Sequence, residues 1–219
     1  MAVSFDRERG RMVEQQLVAR GITDPRVLSA MARVPREVFV APDLQSYAYE
    51  DNPLPIAAKQ TISQPYIVAL MAEAAKIRPS DRVLEVGTGS GYAAAVLAEL
   101  AASVLTVERH KVLALASREI LNRLGYTNVD VIEADGSKGV PDRAPFDAIL
   151  VAAGAPAPPA SLKGQLAEGG RLVVPVRADG HHDLRVITRH GDSFEEKDLG
   201  QVRFVPLLGE EGWAAPERR

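Results

Sequence analysis

The chain has 219 residues, 46% of them hydrophobic and 25% charged, with Lys+Arg 26 against Asp+Glu 29 and a formal net charge of -3. That is ordinary globular composition on the scale of one substantial core, and its slight acidity supplies no general basic field for nucleic acid. The absence of cysteine excludes disulfides, thiolate nucleophiles and thiolate metal ligands, and suits a reducing compartment.

The N-terminus is charged from Asp6 onward and lacks the apolar run of a signal peptide. No segment approaches the roughly 18 apolar residues of a membrane span; even the Ala-rich stretch from Tyr92 to Val104 contains Glu99. With no internal repeat or long linker, the expectation is one cytoplasmic domain over 1–219, with helices and a substrate lid in 1–80 and a cofactor-binding sheet in 81–219. No membrane or nucleic-acid partner is expected.

Residues 6–20 carry helical spacing (Met12, Val13, Gln16, Leu17) and stop at Gly21. Thr23-Asp24-Pro25 opens a second helix with Val27, Leu28, Met31 and Val34 on one stripe, ended by Pro35. The proline-interrupted stretch 39–60 reads as ordered loop. Ser63 fits an N-cap, with Gln64 and Pro65 in the first turn of a helix through Ile67, Leu70, Met71 and Ala75. From Asp81 strands and helices alternate: strand Arg82–Val86, GTGSG, helix from Tyr92 to about Leu100, strand Ser103–Val107, helix from about His110 to Leu124, strand Val129–Ile132, strand Ala148–Val151. A short helix Ser161–Leu166 follows, and Gly169-Gly170 turns the chain into strand Arg171–Pro175. This order predicts a doubly wound, mostly parallel sheet. The last strands, Leu184–Thr188 and about Lys197–Val205, are joined only by the turn at His190-Gly191-Asp192 and predict an antiparallel pair on its edge.

The most informative local pattern is VLEVGTGSGY, residues 83–92. Gly87, Gly89 and Gly91 sit between a strand and a helix, where missing side chains allow a tight turn and close approach to a ligand. The G-x-G-x-G spacing is neither the dinucleotide fingerprint nor a phosphate loop with a G-K-[ST] end, so it favours a nucleoside without a pyrophosphate. Glu108 closes the second strand, where a carboxylate can accept two ribose hydroxyls; it could equally cap the following helix. Asp135 could accept from a purine amine, with Gly136 leaving room for the flat ring. Glu85 either orients the amino-acid end of the ligand or is a paired buried carboxylate, and both readings stay open. The histidines at 110, 181, 182 and 190 form no triad pattern and read as surface or loop residues. No cluster has metal-ligand spacing.

The segment AYEDNPLPIAAKQTISQPYIVALM, residues 48–71, resembles the hallmark region of the protein-L-isoaspartate O-methyltransferase family. The likeness continues through LGYTNVDVIEADG, FDAILVAAGAPAPP and VRFVPLLGEEGW, spanning Val13 to Trp213. It implies the doubly wound S-adenosylmethionine-dependent methyltransferase fold: a seven-stranded, mostly parallel sheet with one antiparallel strand near its edge, plus N-terminal helices. It further implies methyl transfer from S-adenosyl-L-methionine, leaving S-adenosyl-L-homocysteine, to isoaspartyl residues of damaged proteins and peptides, without a metal. Ser63 matches the family's active-site serine, with Thr61, Ile62 and Gln64 shaping the same lid. Glu85, Gly87, Thr88, Gly89, Ser90, Gly91, Glu108, Asp135 and Gly136 match its cofactor contacts.

Two departures stand out. Ile56-Ala57-Ala58-Lys59 replaces a glycine-rich turn, which implies a stiffer lid and places Lys59 where it could attract an anionic substrate. Ala134 stands where a glycine commonly precedes the aspartate. A small-molecule or nucleic-acid methyltransferase of the same fold, an NAD-dependent oxidoreductase and a non-catalytic binding protein are the competing readings. The polar tail AAPERR favours a monomer.

Overall fold

The computed structural model describes residues 5–214. The sheet is built first by β-branched runs. Strands β3 (Arg82–Val86), β4 (Ser103–Glu108) and β6 (Phe146–Val151) are buried almost throughout, the mark of strands covered on both faces. Together with β5 (Val129–Glu133), β7 (Leu166–Ala178), β8 (His181–His190) and β9 (Ser193–Val202) they form a seven-stranded sheet ordered β5-β4-β3-β6-β7-β8-β9. Pairing is parallel from β5 to β7 and antiparallel at β7–β8 and β8–β9, so β8 alone runs against the rest.

The two-residue period divides the sheet into two faces. Val83 packs into a layer with helices α1 (Phe5–Met12), α2 (Pro25–Arg33), α3 (Pro65–Ala74), α4 (Tyr92–Ala98) and α5 (Lys111–Arg123). Leu84 and Val86 pack on the opposite side with Leu162 of α6 (Ala160–Gly164). The first layer is continuous from Met12 to Val202, so the N-terminal helices share a core with the sheet. Buried Arg171 on β7 reinforces that union by donating to the Ala75 and Lys76 carbonyls at the end of α3 and pairing with Asp81 at 3.3 Å.

Several local expectations are corrected. The first helical run continues to Arg20, but passes from α1 into a π-turn (Val13–Leu17) and a 3-10 turn (Val18–Arg20) before Gly21, at φ 92, ends it. Ser63 is not a helix cap. The cap position of α3 is Gln64, and no side chain of its own caps the helix. Segment 39–60 holds short 3-10 turns and strand β1 (Leu54–Pro55), which pairs with β2 (Thr61–Ile62). Gly169 and Gly170 lie inside β7 at a bulge, because register jumps from Phe146↔Leu166 to Ala148↔Arg171; Leu166 therefore belongs to the strand and the helix ends at Gly164. Finally, β8 and β9 are longer than expected, and the chain leaves the sheet at Val202, before Phe204 and Val205.

Candidate active site

From β3 the strand order proceeds outward through β4 and β5 on one side and through β6 on the other. The carboxyl ends of β3 and β6 thus flank the switch point where open α/β sheets bind ligands. A cleft opens there, lined by Val86 to Ser90, Val107 to His110, Gly136 and Ala152-Ala153, and roofed by Gln60 to Ser63 and Val205 to Leu208.

The glycine loop takes its shape from backbone conformations other residues resist. Gly87, Gly89 and Gly91 have φ of 97, 54 and 91. Buried Glu108 reaches back to the loop: Oε2 accepts the Gly89 N–H at 3.0 Å, while Oε1 accepts the His110 N–H at 2.8 Å just ahead of α5. A carboxylate has about four acceptor positions, so these two hydrogen bonds leave Glu108 with acceptor capacity on the cleft side. Thr88 and Ser90 line the cleft, as does Tyr92.

Glu85 does not line the cleft. It is fully buried beneath it, accepts a hydrogen bond from Thr106 at 2.5 Å, and Thr106 in turn meets the Thr88 hydroxyl at 2.6 Å. Its Oε1 has no partner among the described residues. Burial pushes its pKa up to about 8; the Thr106 bond opposes that rise and nearby Glu108 adds to it. Glu85 reaches the cleft only through this hydroxyl pair.

Asp135 is placed differently from the expectation of an adenine acceptor. Oδ1 accepts from the Ser137 amide (2.9 Å) and hydroxyl (2.8 Å), and Oδ2 accepts from the Glu210 amide at 2.9 Å. Burial raises its pKa, but hydrogen bonds from Glu210 and Ser137 outweigh that and hold it below the ordinary range. Its work is to fasten the C-terminal segment, helped by Trp213 Nε1 donating to the Gly154 carbonyl at 3.0 Å and Leu207 N to the same carbonyl at 2.9 Å. Gly136 does line the cleft, yet its glycine requirement comes from the protein: a Cβ there would lie 2.6 Å from Val86 Cγ1.

A second, surface groove adjoins the cleft. Arg20, Tyr66, Leu70, His181, Arg203 and Phe204 are among its walls, and Thr61, Ser63, Ala152 and Val205 belong to both cavities. Ser63 therefore stands where the two meet, with its hydroxyl engaged by no described residue and not consumed by capping. Ile62 is buried and paired with Leu54, while Gln64 lines the groove. Lys59 lines neither cavity. It is exposed at the tip of the β1–β2 hairpin, where Ala58 and Lys59 adopt φ of 56 and 58.

The sequence reading missed several of these residues. His110 lines the cleft and His181 the groove, while half-buried His182 packs against Gly154 with its pKa lowered, chiefly by burial; only His190 sits exposed at a turn. Arg20, Tyr66 and Val205 to Leu208 come from distant segments with no shared local pattern. Among the described residues no group of His, Asp and Glu could hold a metal.

The residues present fit an adenosyl ligand: a glycine loop for close approach, a carboxylate with spare acceptors beside it, and apolar Val86, Val107 and Leu207 around them. Comparison with known proteins agrees. The family model "Protein-L-isoaspartate(D-aspartate) O-methyltransferase (PCMT)" matches residues 7–212. A protein-L-isoaspartate O-methyltransferase of Rhodopseudomonas palustris is 59% identical over 94% of this chain and 95% of its own, and one of Marinobacter nauticus is 61% identical over 94% of each. A solved protein-L-isoaspartate O-methyltransferase superposes with TM-score 0.83 at 30% identity, over 93% of this chain and 67% of that one. A Plasmodium falciparum β-aspartate methyltransferase solved with S-adenosyl-L-homocysteine gives TM-score 0.80 at 29% identity, over 92% of this chain and 98% of that one. The chain belongs to the protein-L-isoaspartate(D-aspartate) O-methyltransferase family, and the reaction it catalyses is methylation of isoaspartyl residues with S-adenosylmethionine as donor.

Proposed function

We propose that Ser63 receives the isoaspartyl α-carboxylate at the junction of groove and cleft and holds it for methylation. The carrying observation is that its hydroxyl is engaged by no described residue and that Ser63, with Thr61, Ala152 and Val205, lines both cavities. S-adenosylmethionine supplies a methyl group already activated on a sulfonium. The acceptor carboxylate, with a reference pKa of about 3.5, is ionised near neutrality, so no general base is required. The protein's task is to orient and to exclude water. Ser63 donates one hydrogen bond to the carboxylate, while Thr61, Ile62 and Val205 close the junction. Glu108 offers its spare lone pairs to the ribose, and the backbone of Gly87 to Ser90 approaches the amino-acid end. In the resulting methyl ester the neighbouring backbone amide nitrogen attacks the ester carbonyl and expels methanol to give a succinimide, which water reopens in part as normal aspartate, completing repair without further chemistry by the enzyme.

We further propose a single folding unit acting as a monomer in a reducing cytoplasm, on proteins and peptides, away from nucleic acid and membranes. The continuous core, the absence of cysteine and the net charge of -3 support this. Among the described residues no helix is long and apolar enough to cross a membrane. Exposed Glu195, Glu196, Lys197 and Asp198 discourage edge pairing along β9. The tail from Ala215 onward lies outside the described residues.

The test is methyl transfer to an isoaspartyl peptide and its aspartyl twin by wild type and S63A. Wild type should methylate only the first. S63A should lose about 10–100-fold in kcat/KM while its Tm stays unchanged, since no cap is lost. Full activity in S63A would remove the serine's role, and equal transfer to both peptides would remove the repair reading.

A further inference from the structure

Helix α3 begins beside Ser63, yet nothing local caps it: the Gln64 side chain makes no cap hydrogen bond and Pro65 occupies the first turn. The missing acceptor is supplied from elsewhere in the chain. Asp51 Oδ1 accepts the Tyr66 N–H at 3.3 Å, the position an N-cap oxygen normally serves. Its Oδ2 accepts from Gln64 Nε2 at 2.5 Å and from Arg20 Nη1. Arg20 is held in turn by stacking over Tyr66, 3.5 Å from the ring centroid. The carboxylate thus binds two of the three residues that follow Ser63 on its helix side, at positions 64 and 66. On the other side Ile62 is fixed by its β1–β2 pairing and burial.

We infer that Asp51 is a positioning residue for Ser63: it caps α3 in trans, leaves the serine hydroxyl free of that task, and fixes the backbone that aims it into the junction. The inference rests on the reading of Ser63 given above. An acceptor supplied by Ser63 itself would satisfy the helix end, but only by turning the hydroxyl away from substrate. Asp51 removes that competition. Arg20 couples the arrangement to the end of the N-terminal helical run, at Val18–Arg20.

A double-mutant cycle separates positioning from plain stabilisation. D51N keeps the shape of the side chain but lacks the charge that holds Arg20 and Gln64 together with the helix end. In D51N, kcat on an isoaspartyl peptide should fall about tenfold, because small misplacement of a reacting group is costly, while KM for S-adenosylmethionine stays within about twofold. In an S63A background the same change should lower kcat by less than about twofold. Q64L, which removes one partner and leaves the trans cap, repeats the cycle should D51N fold poorly. A tenfold loss that persists in S63A, or full kcat in the well-folded D51N, overturns the inference and leaves the Ser63 reading intact. Full activity in S63A alone overturns both.

Discussion

At the scale of single residues, the site is organised by how carboxylates are engaged. Glu108 accepts from the loop at Gly89 and from His110 ahead of α5 while lining the cleft. Asp135 and Asp51 act on backbone amides far away in sequence. Glu85 is the exception, buried with one oxygen unpartnered among the described residues and its pKa raised to about 8, chiefly by burial. Its folded form binds the proton more tightly than the unfolded form, whose pKa is about 4.3. Stability must therefore decline as pH rises from about 4.3 to about 8 and level off above. Each unit of raised pKa corresponds to about 1.4 kcal/mol. E85Q retains an acceptor for Thr106 and has no such proton, so its Tm relative to wild type should climb between pH 5 and pH 8. A constant difference across that range would show that Glu85 is ionised in the fold. The identity of Glu85, Glu108 and Asp135 as carboxylates near strand ends was legible in sequence. Which amide or hydroxyl each meets was not, because those partners depend on side-chain directions after folding.

At the scale of elements, the β1–β2 hairpin roofs the cleft through a turn that places Ala58 and Lys59 in the left-handed region. For non-glycine residues this conformation costs roughly 1–2 kcal/mol each. The Ala57-Ala58-Lys59 turn is thus a source of strain. In A58G, relief of that strain outweighs the roughly 0.4–1 kcal/mol by which glycine favours the unfolded chain. Its Tm should stay level or rise, and a fall worth about 1 kcal/mol would exclude the left-handed turn. Gly136 marks the opposite constraint, a close approach of β5's end to Val86. G136A should lose a few kcal/mol by overpacking, and G136A/V86A should recover part of the loss in thermal unfolding. Strands and helices from Asp81 onward were readable because hydrophobic period and glycine punctuation agree there. The π-turn after α1, the bulge at Gly169-Gly170 and the start of α3 escaped, since each is set by packing or by a distant partner.

At the scale of the whole molecule, the groove contrasts with the chain's net charge of -3. It holds Arg20, His181 and Arg203 and no carboxylate among its lining residues. Arg20 is paired with Asp51, and His181 Nε2 lies 3.0 Å from Asp183, which leaves exposed Arg203 as the arginine of this lining without a carboxylate partner among the described residues. Isoaspartyl peptides with acidic flanks should accordingly show lower KM than basic ones, and the advantage should shrink with salt. R203E should raise KM for the acidic peptide about tenfold and change a neutral one by less than about threefold. Equal effects on both peptides would deny the groove a charge preference. Lys59, the cation singled out from sequence, lies away from that groove, so K59A should leave peptide KM unchanged.

The sequence by itself determined the doubly wound sheet, the glycine loop at its head and, through the TISQP segment, the kind of reaction. Periodicity, turn chemistry and motif spacing are local properties and survive without coordinates. Only the tertiary structure decided that Ser63 is free and not a cap, that Asp135 holds the chain's own C-terminal segment, and that Asp51 supplies the helix cap Ser63 leaves open. Those assignments depend on residues roughly ten to seventy-five positions apart meeting within hydrogen-bond range. No local pattern encodes such meetings; they exist once burial of a shared core has brought the segments together.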